Sequence, residues 1–138
     1  MAKKLYLKIA HLAALHGDYY KAAETFEKVA TSALSNNLLK WSIKDYFLKS
    51  GMCLLATGDM VVINRALGNY RDMDPTFPST GEYQLLVDLT EAVAAGNMET
   101  FQDKVIAQFD QMAKLNAWGT AILLRIKKGI EEQSEDFS

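Results

Sequence analysis

Reactive side chains are few in this chain. Two histidines, His11 and His16, and one cysteine, Cys53, are all it has for imidazole or thiolate chemistry. The histidines are five residues apart, which on a helix points them to different sides, and neither has a Cys or carboxylate at metal-ligand spacing. Both read as packing or surface histidines. Cys53 lies inside an apolar run with no disulfide partner and reads as a small buried hydrophobe in a reducing compartment. No GxxxxGK[ST] loop, GxGxxG turn or GxSxG elbow occurs. The residue types therefore predict no catalytic centre, no metal site and no cofactor, and the chain is expected not to be an enzyme.

Charge is the more informative chemistry. The formal net charge of -2 conceals an asymmetry: residues 1–69 carry nine Lys and Arg against five Asp and Glu, and residues 70–138 carry six against twelve. Lys4 and Lys8 are four residues apart, one helical turn, and Lys40 and Lys44 repeat that spacing 36 residues later. On stacked helices about 8–10 Å apart the two pairs would form a basic ladder, able to orient an acidic partner and speed its association. The plainer reading is a solvated face. The opposite sign collects near the end, in Glu131, Glu132, Glu135 and Asp136, with Phe137 the lone apolar residue of a polar tail. Carboxylates there can meet a basic rim while an aromatic side chain anchors in a pocket. A pI near 5.7 argues against nucleic acid as the partner.

The elements that must position these charges are helices. At 138 residues and 49% hydrophobic, the chain is long enough for one domain with a sizeable core. No apolar run approaches the roughly 20 residues of a membrane span, and the N-terminus lacks a signal peptide's apolar centre, so a cytoplasmic location is expected. The only prolines, Pro75 and Pro78, share one short stretch, and elsewhere the apolar spacing is helical. The stretch from Leu38 to Leu55 is apolar on two sides, with Leu39, Ile43, Tyr46, Phe47 and Leu54 on one and Trp41, Leu48, Met52 and Leu55 on the other. That pattern predicts a helix packed on both faces at the centre of the fold.

Around it, helices are predicted over about Lys3 to Leu15, Tyr19 to Leu34, Met60 to Met73, Gly81 to Ala95, Met98 to Leu115 and Ala117 to Gln133, seven in all. The first is expected to turn Leu5, Ile9, Leu12 and Ala13 inward. Asp18 and Thr80 are the expected N-caps of the second and fifth helices, and Asn116 that of the seventh. Breaks at Gly17-Asp18, Gly58-Asp59 and Gly96-Asn97 lie 41 and 38 residues apart, an internal repeat. GDYYKAAETFEKVA, from Gly17, is similar to the tetratricopeptide pattern of a tight Gly turn followed by an aromatic and small residues. The expected fold is all-α, a TPR-like right-handed superhelical array of antiparallel helix pairs, with odd-numbered helices lining the concave side. Residues 1–133 form the helical-repeat domain and 134–138 an acidic tail.

The strings LLKWSIKDYFLK at Leu38 to Lys49 and LNAWGTAILLRIKKGIEE at Leu115 to Glu132 resemble the soluble NSF attachment proteins, and the likeness extends more loosely over the whole chain, matching the C-terminal half of such a protein. The resemblance implies an adaptor that lays a basic concave side along the acidic SNARE four-helix bundle. Its C-terminal end then recruits and stimulates the hexameric AAA+ ATPase NSF for SNARE disassembly in vesicle fusion and intracellular protein transport. By that likeness Lys4, Lys8, Lys40 and Lys44 match bundle-contacting lysines, and Asp59, Glu91, Glu135 and Asp136 match acids facing the ATPase. Phe137 stands where the family carries a penultimate Leu linked to ATPase stimulation, and Ala94 and Ala95 stand at two further acidic positions. Peripheral membrane association would come through an upstream part. The alternative from the residues alone is a tetratricopeptide-type scaffold that clamps a peptide with the same basic face.

Overall fold

The computed structural model describes residues 2–36 and 40–136. Among them are eight α-helices: α1 (Ala2–Leu15), α2 (Tyr19–Leu34), α3 (Lys40–Thr57), α4 (Met60–Met73), α5 (Gly81–Ala95), α6 (Met98–Ala107), α7 (Phe109–Ala113) and α8 (Asn116–Asp136). A 3-10 turn, Phe77–Ser79, bridges α4 and α5. The described residues are otherwise turns, so the fold is all-α, with helices in packed pairs like a tetratricopeptide array. No described helix is long and apolar enough to cross a membrane.

The breaks fall where glycine permits them. Gly17, Gly58 and Gly96 all adopt positive φ, at 85°, 77° and 63°, the left-handed conformation that ends a helix without a Cβ clash. The next helix is then capped unevenly. Asp59 accepts from the Val62 amide, Thr80 from Tyr83 and Asn97 from Thr100, each satisfying a first-turn N–H. Asp18, expected to do the same for α2, makes no side-chain cap bond; it sits at ψ 68°, outside the extended conformation that Asp59 and Thr80 adopt.

The expected sixth helix is interrupted. At Gln108 the backbone leaves helical geometry, and its side chain donates to Asp88 on α5 at 2.8 Å, so that α6 ends there and the short α7 begins. Asn116 then opens α8 from the left-handed region, φ 57°, which Asn tolerates better than most residues, and its side chain accepts from the Trp118 amide. α8 continues through Asp136, so the backbone of residues 134–136 is helical.

α3 is the centre. It packs against α2, α4, α5 and α8, and its two apolar faces account for the contacts: Ile43, Phe47, Leu48, Met52, Cys53, Leu54 and Leu55 are all buried. Phe47 stacks on Tyr70 of α4 at 4.5 Å and meets Phe77 edge-on at 5.2 Å. Truncating one such aromatic would cost about 3–5 kcal/mol. Cys53 is fully buried and burial pushes its thiol up to about 12, which leaves it protonated and inert at neutral pH. The hydroxyls of Ser50 and Tyr70 are 2.7 Å apart, and Tyr70 also donates to Glu27, which ties α2, α3 and α4 through one buried polar network. A Cβ at Gly51 would fall 2.5 Å from the tip of the Leu86 side chain, so any larger residue there would make Leu86 of α5 shift.

The first helix is rotated relative to expectation, and of the expected inward set only Ala13 packs against the core. Ala10 and Ala14 are buried, while Leu5, Ile9 and Leu12 are exposed, Leu5 at 59%. α1 lies against α2 through small side chains, and the larger stripe faces out.

Candidate functional site

Two charged regions sit at opposite ends of a parallel set of helices. Levels along α1, α3 and α5 follow from cross-helix contacts. Lys3 lies over the Tyr46 ring at 5.3 Å and Lys49 meets His11, while Lys44 pairs with Glu82 and Leu86 covers Gly51. Early residues meet early residues throughout, so the N-termini of α1, α3 and α5 share one end and their C-termini the other.

The basic end holds the lysines expected from spacing. Lys4 and Lys8 are exposed on α1. Lys40 is the first residue of α3, and its side chain lies outside the described residues. Lys44 departs from the expected ladder. Its ammonium is 3.4 Å from the carboxylate of Glu82, whose side chain is 7% exposed against 43% for Lys44. A carboxylate that buried needs a counter-charge, so Lys44 is tied to the core as well as facing outward. Lys3, which the spacing argument passed over, joins this end by sitting across Tyr46. Its signal was a cation one turn ahead of Leu7, too short a pattern to read without the partner ring.

Between the ends, α8 is seated on α1 and α3. His11 Nδ1 lies 2.6 Å from the Leu7 carbonyl and Nε2 lies 3.2 Å from the Lys49 ammonium. A carbonyl only accepts and an ammonium only donates, so the proton is on Nδ1 and the ring is neutral. Burial, then the Lys49 charge, holds this imidazole below its ordinary pKa, against the opposing Leu7 hydrogen bond. Burial likewise lowers Lys49, with Asp45 acting the other way. The Trp118 ring lies edge-on to His11 at 5.0 Å and to Phe26 at 5.7 Å, and its Nε1 donates to the His11 carbonyl. Farther along α8, the Arg125 guanidinium donates to the carbonyls of Ala14 and Leu15, capping the C-terminus of α1. α8 therefore runs parallel to α1, and Trp118 and Arg125 hold the last helix against the first.

The acidic end is where α3, α5 and α8 finish together. Asp59 is half-buried and caps α4. Glu91 is 63% exposed and within 3.8 Å of Lys104, which also approaches Asp88. Glu131 and Glu132 are exposed on α8, and Gln133 lies over Gly96 at the end of α5. Glu135 and Asp136 belong to α8, with side chains outside the described residues, and Phe137 lies outside them altogether. Among the described residues no group of three His, Cys, Asp or Glu could hold a metal ion.

With this geometry in place, the chain's kinship is direct. The family described as soluble NSF attachment protein matches residues 1–131. A probable vesicular-fusion protein sec17 homolog of Neurospora crassa is 51% identical over 138 residues, all of this chain and 47% of that protein. The corresponding protein of Schizosaccharomyces pombe is 49% identical, again over all of this chain and 47% of its own length. The human alpha-soluble NSF attachment protein is 38% identical over 98% of this chain and 45% of its own. The chain thus spans about half the length of these curated relatives. A match along almost every residue at such identity settles the kinship: the chain belongs to the soluble NSF attachment protein family.

Proposed function

We propose that this chain is the part of an adaptor that couples an acidic helical bundle to an ATPase that pulls the bundle apart. Lys4, Lys8, Lys40 and Lys44 face a SNARE four-helix bundle; Asp59, Glu91, Glu135, Asp136 and Phe137 face an NSF-type AAA+ ATPase. The cellular role is vesicle fusion and intracellular protein transport, with the protein cytoplasmic and held at membranes only within the complex. The names of the relatives, vesicular-fusion protein and NSF attachment protein, support this reading.

One observation carries it. Helix dipoles favour acids at N-termini and bases at C-termini, by about 0.3–1 kcal/mol for each exposed charge. α3 begins at Lys40 with no acid in its first turn, and α8 ends at Glu135 and Asp136 with no base in its last. Charges set against both dipoles do not serve helix stability. Their separation to opposite ends lets two partners bind at once, one acidic and one basic, without competing. The chain itself makes and breaks no bonds in this scheme; it holds the bundle and the ATPase in register.

Full-length protein carrying this half, mixed with assembled SNARE bundle and then with ATPase, tests the proposal by pull-down. Both partners should be retained, the bundle more weakly as salt rises and screening shortens to about 8 Å. Equal retention of a short acidic peptide with a free C-terminus, and none of the folded bundle, would favour a peptide-clamping scaffold instead.

A further inference from the structure

The basic end divides into two unlike halves. α1 brings Lys4 and Lys8 to the surface and contains no acidic residue, so no carboxylate on that helix offsets their charge. Where α3 meets α5, cations and acids are interleaved. Partial burial, then the Glu82 charge, raises the Asp45 carboxyl above its ordinary value, while Lys44, Lys49 and Lys114 act the other way. This half therefore adds less long-range field than α1 does. What sets it apart is that one of its cations is held in place.

Glu82 is the holder. It stands in the first turn of α5, where the dipole favours a carboxylate, and the Gln111 side chain of α7 lies against Gly81 in the same turn. Its side chain is only 7% exposed, and its carboxylate is 3.4 Å from the Lys44 ammonium, which is 43% exposed. An ammonium has three donors, so Lys44 can meet Glu82 from within and a second carboxylate from without. Stability does not account for the pair, because taking two charges out of water costs about as much as their attraction returns. Position does. A free lysine samples many rotamers, whereas the Lys44 head is anchored at a buried point.

We infer that Glu82 is a positioning residue for the acidic bundle: it fixes the Lys44 ammonium where α3 meets α5, so that a bundle drawn in by Lys4 and Lys8 settles in one register on Lys44. The inference rests on the adaptor reading above and gives an acid on the basic face a part in holding an acidic partner. Ordering Lys44 during folding removes that cost from binding. The two halves then act at different steps, the α1 lysines on association and the held lysine on dissociation.

Rates of binding between the full-length protein and assembled SNARE bundle, followed by surface plasmon resonance at moderate salt, test this. Glu82→Gln and Glu82→Met each remove the carboxylate at similar volume and leave Lys44 in place. Both should raise koff about fivefold, the size expected for ordering one long side chain, with kon no lower than the parent's and Tm held. Charge alone predicts the opposite sign, since removing an acid from a basic face favours an acidic partner. In a Lys44→Met background, Glu82→Gln should change koff by less than about twofold, because no ammonium is left to hold. An equal rise in koff with and without Lys44 would make Glu82 a structural residue and overturn the inference. A koff at or below the parent's in both single variants would also overturn it, and would make Glu82 a competitor of the bundle for Lys44. If Lys44→Met binds the bundle as the parent does, the inference fails and the adaptor reading stands on the other lysines. If the unsubstituted protein binds no bundle, the adaptor reading fails and the inference with it.

Discussion

The basic and acidic ends of this domain carry charge in different ways, and each uses one of its charges twice. At the basic end Lys4 and Lys8 are exposed on the surface of α1, whereas Lys44 is also the counter-charge of buried Glu82. At the acidic end Glu91 and Glu132 are exposed, whereas Asp59 also caps α4. A charge that folding also uses cannot be changed without moving stability, so a binding loss there has two causes. Exposed charges separate recognition from folding.

The largest effect is expected at the exposed lysines. Changing Lys4 and Lys8 together to Glu should weaken binding to the SNARE bundle about a hundredfold, or ~2.7 kcal/mol, because two attractions become two repulsions. Circular dichroism and Tm should stay at parental values. Unchanged affinity at moderate salt would place the bundle elsewhere.

Lys44→Glu should behave differently. It sets a carboxylate against Glu82 and should destabilise the fold by about 2 kcal/mol, measured by urea denaturation, the size being limited by the partial exposure of Lys44. Pairing it with Glu82→Gln should recover most of that loss but not the bundle binding. If Lys44→Glu melts like Lys8→Glu, the two ends do not differ in the way described.

Asp59 gives the matching test at the other end. Asp59→Ala should cost about 1 kcal/mol through the lost cap, while Asp59→Asn keeps an acceptor for the Val62 amide and leaves Tm nearly unchanged. Both should weaken ATPase recruitment, and equal recruitment by Asn and Asp would mean that the charge is not read.

The smallest expected effect concerns the join between the ends. His11 has its folded-state pKa depressed below 6.5, so the unfolded chain takes up the proton first on acidification. Its contribution to stability is complete above about pH 6.5 and is lost as pH falls towards the depressed value. Tm should drop by a few degrees between pH 7.5 and 5.5, and His11→Gln, which cannot take up a proton, should flatten that slope. A slope unchanged in His11→Gln would assign it to other groups.

The sequence by itself determined the all-α class and the limits of most of the helices. Apolar spacing places α2, α4 and α5 at their observed bounds, and the three glycines that end α1, α3 and α5 are each needed for a left-handed turn. The two apolar faces of residues 38–55 announced a helix packed on two sides, and α3, which begins at Lys40 with Leu38 and Leu39 outside the described residues, packs against α2, α4, α5 and α8. These features are legible because propensity, capping and turn chemistry act within a few residues. The likeness of two strings to a known family was legible too, and the match over residues 1–131 bears it out. What only the tertiary structure decided are choices among equals. α1 offered a leucine stripe and an alanine face, and packing took the alanines. Four lysines repeated one spacing, and a carboxylate on another helix engaged Lys44. Gln108 carried no mark of a break until Asp88, 20 residues earlier, supplied a partner. Arg125 reaches carbonyls 111 residues before it, which brings α8 over α1 and the ends of three helices round one groove. Contacts at such separations depend on the assembled backbone, and no local pattern in the chain encodes which of several similar side chains will meet them.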